Sequence, residues 1–496
     1  MAADTRRCGL PGGTLCRTAL AAAITLIALS LSACGSDTTD PPPSVTPLAQ
    51  YVLIGYSAIS GGPQPLVRAV VGLSAECPAI AFSDSRPQLA MQPRPNPDTN
   101  AFPVQVCEAV VEIPDGVTAT IAGVDMPLPV PASGPMTIGK VAVVADSGCK
   151  GDDAQPCASD TWQFAQVAAA AAADTPDLVL HLGDYNYRGT PSRNAAGDWA
   201  YDGCVADLGK PLPTQTTKDT WDTWKLDFFE PAQPLLAVAP WVVVRGNHEL
   251  CSRAGRGWFY FLDAHSPLLD PDVETPSCNA PTVPTEPYGL TMANLQLVIL
   301  DSANACGGGE GPQIDLAGEE SVFAYTRQFD AVNALVAAGS KPAWLLTHRP
   351  LWGIARYGTA PAESGNITLQ KAVAALAQGR LAAEIPLIVS GHMHEFEALS
   401  FAGDRASQIV VGDSGVKLAP DALAPGFTDT TIDGMTASGM INDTDHGYLL
   451  IELDDGSHWS GTLFGFGPAG DEKHAVARCG LPVDGSLCTP ATQPNR

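Results

Sequence analysis

Five short polar segments, each ending or directly following an apolar run of β-strand composition, constrain this chain more than any other feature. They are Asp146-Ser147-Gly148, Gly183-Asp184-Tyr185-Asn186-Tyr187, Gly246-Asn247-His248-Glu249, His348 and Gly391-His392-Met393-His394. Singly, each reads as a turn. Together they gather carboxylate, amide, imidazole and phenol groups, a donor set that suits a pair of cations rather than a hydrophobic core. In open α/β sheets, groups distant in sequence converge outside the carboxyl ends of the strands. The order of apolar run and then polar segment therefore predicts a fold class and the place where a site would form.

From Lys140 onward, β-runs at 141–145, 178–182, 241–244, 295–300, 344–347, 386–389 and 408–411 alternate with helical stretches at 160–173, 221–229, 319–338 and 368–383. This alternation is that of an α/β unit, expected over 138–465. Ser159 and Gly339 are placed to cap the first and third helices. Residues 51–135 instead hold short apolar runs at 51–55, 67–72, 102–111 and 118–121, broken by Pro, Gly and Asp, which predicts a small N-terminal β domain. Residues 420–445 and the tail 466–496 are rich in Gly, Asp, Thr and Pro and are expected to be mostly loops.

At the N-terminus, Arg6, Arg7 and Arg17 come with an uncharged stretch at 18–33, and Leu31-Ser32-Ala33-Cys34 has the small-residue pattern of a lipoprotein cleavage site. The expectation is a signal peptide over 1–33, lipidation at Cys34 as in bacterial lipoproteins, and a Pro-rich tether over 34–50. That places the body outside the cytoplasm, anchored to the cell envelope and facing the periplasm or exterior. A retained transmembrane helix is the alternative, for which the apolar run is short. Of 13 cysteines, ten remain beyond Cys8, Cys16 and Cys34, an even set that suits disulfides in an exported chain. Proximity alone pairs 77 with 107, 149 with 157 and 479 with 488. Free or metal-binding thiols are the rival reading, without Cys-x-x-Cys spacing to support it. A net charge of −26 opposes unassisted binding to nucleic acid or anionic membrane, although bound cations can reverse the potential of a single cleft.

The ordered set of five blocks resembles the calcineurin-like metallophosphoesterase superfamily and, within it, the purple acid phosphatases, over roughly residues 138–465. Tyr187, three residues after Asp184, favours the purple acid phosphatases. Most of the superfamily lacks that tyrosine and has a histidine two positions after the first aspartate, where this chain has Gly148. The resemblance implies a four-layer αββα sandwich holding two metal ions. One would be held by Asp146, Tyr187 and His394, the other by Asn247, His348 and His392, with Asp184 bridging. A phenolate with carboxylates suits Fe(III), while two imidazoles and an amide suit a divalent ion such as Zn, Fe or Mn.

Among catalytic groups, the resemblance implies that Asp184 bridges the metals, that His248 contacts substrate or protonates the leaving group, and that Glu249 orients His248. Asn247 and His248 would also face the substrate. The stretch Arg349-Pro350-Leu351-Trp352-Gly353-Ile354-Ala355-Arg356-Tyr357 resembles that of mammalian-type purple acid phosphatases, where a histidine stands in place of Tyr357. Arg356 or Tyr357 is expected to bind phosphate oxygens instead. The activity implied is hydrolysis of phosphate monoesters of small molecules outside the cytoplasm. A phosphodiesterase of the same superfamily and a non-catalytic surface-binding lipoprotein are the alternatives. His181, His265, His446, His458 and His474 match no motif and are expected to be structural.

Overall fold

Alternation along single strands sets the layers of the fold. In Lys140–Val144, Val141 and Val143 enter one core while Ala142 and Val144 enter another. Leu178 and Leu180 part from Val179, and Val242 from Trp241 and Val243, in the same way. Strands apolar on both sides belong to a sheet covered on both faces. The face carrying Val141 packs on a second sheet, whose Leu297, Ile299, Trp344, Leu346, Leu387 and Val389 complete the shared core. Outside the first sheet lie helix Phe164–Ala173 and the helical segments from Trp221 to Leu236, which bring Val167, Ala171, Trp224, Phe228 and Leu235. Outside the second, Val298, Leu300, Leu345 and Ile388 meet Tyr325, Phe329 and Val332 of helix Glu319–Ala338 and Leu369 and Ala372 of helix Ile367–Ala374. The result is the expected four-layer αββα sandwich.

The computed structural model describes residues 45–491 except 58–61, 152–154, 158–160, 189–217, 252, 272–275, 279–284, 306–318, 358–359, 420–425, 455–457, 468–471 and 484–485, and gives no side chains to describe at 355–364 or 481–483. The expected leader and lipidation site at 1–34 and the expected cap at Ser159 lie outside the described residues. Among the described residues, no helix is long and apolar enough to cross a membrane.

The first sheet runs in spatial order Ser486–Pro490, His474–Val483, Trp459–Phe466, His446–Leu453, Lys140–Val144, Leu178–His181, Trp241–Val243, Ala49–Ser57, Gly62–Gly72, Val104–Val110 and Gln92–Pro93. The second runs Tyr288–Thr291, Gln296–Leu300, Ala343–Thr347, Leu387–Ser390, Ser407–Val411, Phe396–Phe401, Met435–Asn442 and Gly426–Ile432. Two expected loops are thus strands. In the tail, His474–Val483 and Ser486–Pro490 form an edge hairpin that sends Ala477, Cys479, Leu487 and Cys488 into the inter-sheet core. Residues 426–442 form a hairpin about Asp433-Gly434, whose φ values of 45° and 70° are those of a tight primed turn.

The N-terminal region is β, with its own small core of Val52, Val67, Ile80, Met91 and Ile121. It is also joined to the rest, because Ala49–Ser57 pairs in parallel with Trp241–Val243 and brings two more strands with it. A buried polar network ties the same region to the helix that follows Glu249. Arg68 donates to Glu108 and to the carbonyls of Phe261 and Asp263, while Arg94 donates to Glu108 and the carbonyl of Phe259. Cys77–Cys107, Cys149–Cys157 and Cys479–Cys488 pair as proximity proposed, and Cys251–Cys278 is a fourth bridge. Cys204 and Cys306 lie outside the described residues.

Candidate metal centre

Five parallel strands, three in the first sheet and two in the second, end at one cleft. Lys140–Val144, Leu178–His181 and Trp241–Val243 are neighbours and lead to Asp146, Asp184 and Asn247. Ala343–Thr347 and Leu387–Ser390 are neighbours and lead to His348, His392 and His394. Short hydrogen bonds lace the loops together: Asp146 N–H to the Gly183 carbonyl at 3.0 Å, Gly391 N–H to the His348 carbonyl at 3.0 Å, and His392 N–H to Asp146 Oδ2 at 2.7 Å.

Asp146, Asp184 and His392 have φ of 52°, 59° and 77°, a conformation that side-chain-bearing residues adopt at a cost and that clusters at functional sites. The turn that brings His392 and His394 to one side therefore falls on His392 itself. Gly391 supplies room, since a Cβ there would stand 2.6 Å from Asp146 Oδ2. Gly148 is equally confined, because a Cβ would lie 2.4 Å from the Tyr185 carbonyl oxygen. No side chain fits where most of the superfamily would carry a histidine.

All seven expected metal-ligating side chains meet. Tyr187 Oη is 2.6 Å from Asp146 Oδ1 and 3.1 Å from both Asp184 Oδ2 and His394 Nε2. On the other side, His348 Nε2 is 3.0 Å from Asn247 Oδ1 and 3.3 Å from Asp184 Oδ2. Donor atoms of Asp184, His348 and His392 all lie within 4.8 Å of one another. Asp184 is common to both halves.

These contacts fit cations. His348 Nδ1 is 2.7 Å from the Leu182 carbonyl oxygen, which accepts its proton and leaves Nε2 as a lone pair facing two oxygens. Such a cluster of acceptors is repulsive until a positive ion joins it. Separations of about 3 Å are also those of atoms sharing one ion at roughly 2.1 Å each.

The electrostatics agree. Burial, with the Asp184 charge added, pushes Asp146 well above the carboxylate range, and burial with both carboxylates raises Tyr187. Burial opposes the Asp184 anion too, yet the surrounding His348, His248 and His392 hold it well below the usual range. Burial is the chief cause that depresses His392 and His248 and brings His394 down to about 3, helped by Arg349, Arg253 and Lys150 respectively. Neutral imidazoles are the form that binds metal.

Glu249 does not orient His248. Its two carboxylate oxygens accept the backbone N–H groups of Asp184, Tyr185, Asn186 and Gly246 at 2.9–3.2 Å, so it shapes the loop that carries Asp184. His248 lies against the Tyr187 ring with centroids 4.0 Å apart, and its Nδ1 has no partner among the described residues. Arg356 and Tyr357 end the strand Gly353–Tyr357, and their side chains are outside the described residues. Sequence reasoning missed Arg349 and Arg253 as neighbours of the cluster, although Arg349 directly follows His348. It also left His181 without a task. That buried imidazole sits 2.8 Å from Ser147 Oγ and stacks on Tyr185, behind the loops that present the two aspartates.

Carboxylate, phenol, amide and imidazole groups at the strand ends of an αββα sandwich define a metal-dependent hydrolase of the metallophosphoesterase class. The profile of the family described as "Calcineurin-like phosphoesterase" matches residues 139–396. The chain belongs to that family and is a metal-dependent phosphoester hydrolase with a donor set suited to a dinuclear centre. Its fold is similar to that of PhoD, with 12% identity over 92% of this chain and 94% of that one and a TM-score of 0.55. It is also similar to purple acid phosphatase PPD1 from yellow lupin (Lupinus luteus) seeds, with 14% identity over 87% and 74% and a TM-score of 0.48. No curated protein matches it.

Proposed function

We propose that this protein is a phosphomonoesterase of the purple acid phosphatase type, acting on phosphorylated small molecules outside the cytoplasm and held to the cell envelope by a lipid on Cys34. One metal is bound by Asp146, Tyr187 and His394, the other by Asn247, His348 and His392, and Asp184 is shared. The observation that carries this reading is Tyr187 Oη, within 3.1 Å of donor atoms on Asp146, Asp184 and His394. A phenolate among carboxylates favours Fe(III), and the amide–imidazole half favours a divalent Zn, Fe or Mn ion. Bound there, two cations would offset phosphate charge and make water acidic enough to furnish hydroxide near neutrality.

The side chains do the rest. The hydrogen bond from His348 to Leu182 holds its tautomer, and Glu249 keeps the Asp184 loop in place through four backbone donors. His248 offers an imidazole beside the cluster that can hydrogen-bond a phosphate oxygen; protonating the leaving oxygen would require it first to take up a proton, which its burial opposes. Four disulfides among the described residues support an oxidising compartment.

The test is hydrolysis of p-nitrophenyl phosphate and bis-p-nitrophenyl phosphate by protein loaded with iron and zinc. Faster cleavage of the monoester is expected. Preference for the diester would make the protein a phosphodiesterase, and bound metals with neither ester cleaved would make it a non-catalytic surface lipoprotein.

A further inference from the structure

His181, the last residue of strand Leu178–His181, is fully buried in a pocket that an apolar ring would suit. Its imidazole stacks on Tyr185 with centroids 3.8 Å apart and meets Phe164 and Phe228 edge-on at 6.4 and 6.0 Å. Tyr185 is itself fixed, its hydroxyl lying 3.2 Å from the carbonyl oxygens of His181 and Val244. Phenylalanine would pack here without the cost of taking two ring nitrogens out of water. A histidine in such a place is explained by what its nitrogens hold.

Both nitrogens are engaged. Burial drives the ring well below the ordinary imidazole range, so it carries a single proton. Nδ1 accepts the N–H of Gly183 at 3.3 Å, which leaves that proton on Nε2, 2.8 Å from Ser147 Oγ. Gly183 directly precedes Asp184, and Ser147 directly follows Asp146. The two bonds therefore take hold of one aspartate from the residue before it and of the other from the residue after it.

The aspartates need such a hold. Their φ values of 59° and 52° belong to a backbone state that persists only where the surroundings fix it. Asp146 N–H to the Gly183 carbonyl at 3.0 Å and Gly148 N–H to the Asp184 carbonyl at 3.4 Å supply part, and Trp162 Nε1 pins the Ser147 carbonyl at 2.8 Å. His181 adds a rigid side-chain bridge behind them. In front, both carboxylates reach Tyr187 Oη, at 2.6 Å from Asp146 and 3.1 Å from Asp184, so a shift of either loop changes the room between these three groups.

We propose that His181 is a positioning residue of the metal centre, which, by bonding Ser147 Oγ and the Gly183 N–H, sets the separation of Asp146 and Asp184 and with it the fit of the ion on the Tyr187 side. This rests on the metal-centre reading above and deepens it. The ring touches no ligand atom and acts through the two loops.

His181→Phe keeps the aromatic stack and removes both bonds, while His181→Gln returns an N–H near the Nε2 position. In the full chain loaded with iron, His181→Phe should raise the iron dissociation constant, read by competition with a chelator, about tenfold or more and shift the visible iron–phenolate band. His181→Gln should recover most of the affinity. Ser147→Ala, which leaves the ring in place, should reproduce the loss, and adding it to His181→Phe should cost little more, because the two variants break one bond. Nitrogen-15 spectra of the metal-free wild type should show His181 protonated at Nε2 alone. Unchanged iron affinity and band in His181→Phe or Ser147→Ala, a glutamine variant no better than phenylalanine, additive losses, or a proton on Nδ1 overturns the proposal. Wild-type protein that binds no iron overturns the metal-centre reading and this proposal with it, whereas iron binding indifferent to both residues overturns the proposal alone.

Discussion

Glu108 bonds to Arg68, Arg94 and Ser266 rather than to any candidate metal ligand, yet its removal should unseat the helix that follows His248. Oε2 accepts Nη2 and Nε of Arg68 at 3.1 and 3.2 Å and Nη1 of Arg94 at 2.7 Å, while Oε1 accepts Ser266 Oγ at 2.6 Å. Both arginines are buried, Arg68 completely, and they spend their remaining donors on the carbonyls of Phe259, Phe261, Asp263 and His265. Glu108→Gln removes the carboxylate that both buried guanidinium groups contact directly, leaving Asp263 as the remaining negative charge near them. Breaking a buried pair by removing one partner costs about 3–5 kcal/mol, a large share of the roughly 5–15 kcal/mol that holds a typical domain folded. Urea denaturation of wild type and variant at pH 7 measures the difference.

Although burial alone would raise Glu108, Arg68 and Arg94 hold it below the usual carboxylate range. Its contribution should therefore be present above the unfolded value of about 4.5 and shrink as pH falls through the lower folded value. A cost under about 1 kcal/mol at pH 7, or one that does not diminish in acid, would refute this account of how the N-terminal strands support the site.

Three further outcomes are expected. Tyr187→Phe in iron-loaded protein should abolish the broad visible band of an iron–phenolate, and an unchanged band removes Tyr187 from the ligand set. Asp413 is buried with neither carboxylate oxygen partnered among the described residues, and burial pushes it up to about 7. The folded chain then holds a proton that the unfolded chain has lost between pH 4 and 7. Wild-type stability relative to Asp413→Asn should accordingly fall by up to about 4 kcal/mol across that window, at about 1.4 kcal/mol per unit, and stay level above it. Replacing Cys251 and Cys278 by serine frees a segment with a sequence separation of 27 and should lower the unfolding free energy by about 3.5 kcal/mol on the chain-entropy account. Calorimetric or urea unfolding reads that change.

The residues expected to ligate metal were legible because each stands at or just beyond the end of an apolar run, where a parallel sheet gathers distant loops. Helix Glu319–Ala338 was legible, its C-terminal end to the residue, being long and followed at once by Gly339. Edge elements were not. Gly426–Ile432 leaves most of its residues exposed, so its polar composition reads as loop even though Asp433-Gly434 is a hairpin signal. The parallel pairing of Ala49–Ser57 with Trp241–Val243 joins segments nearly two hundred residues apart and leaves no local trace. The task of Glu249 was hidden for a related reason, because three of its four partners, Asp184, Tyr185 and Asn186, lie 63 to 65 residues away in sequence.

Anomalous diffraction from crystals of the iron- and zinc-loaded protein tests the central claim most directly. Two peaks are predicted, about 3.5–4 Å apart, one bounded by Asp146, Tyr187 and His394, the other by Asn247, His348 and His392, with Asp184 touching both. A single peak, peaks elsewhere, or a cleft without bound metal would contradict it.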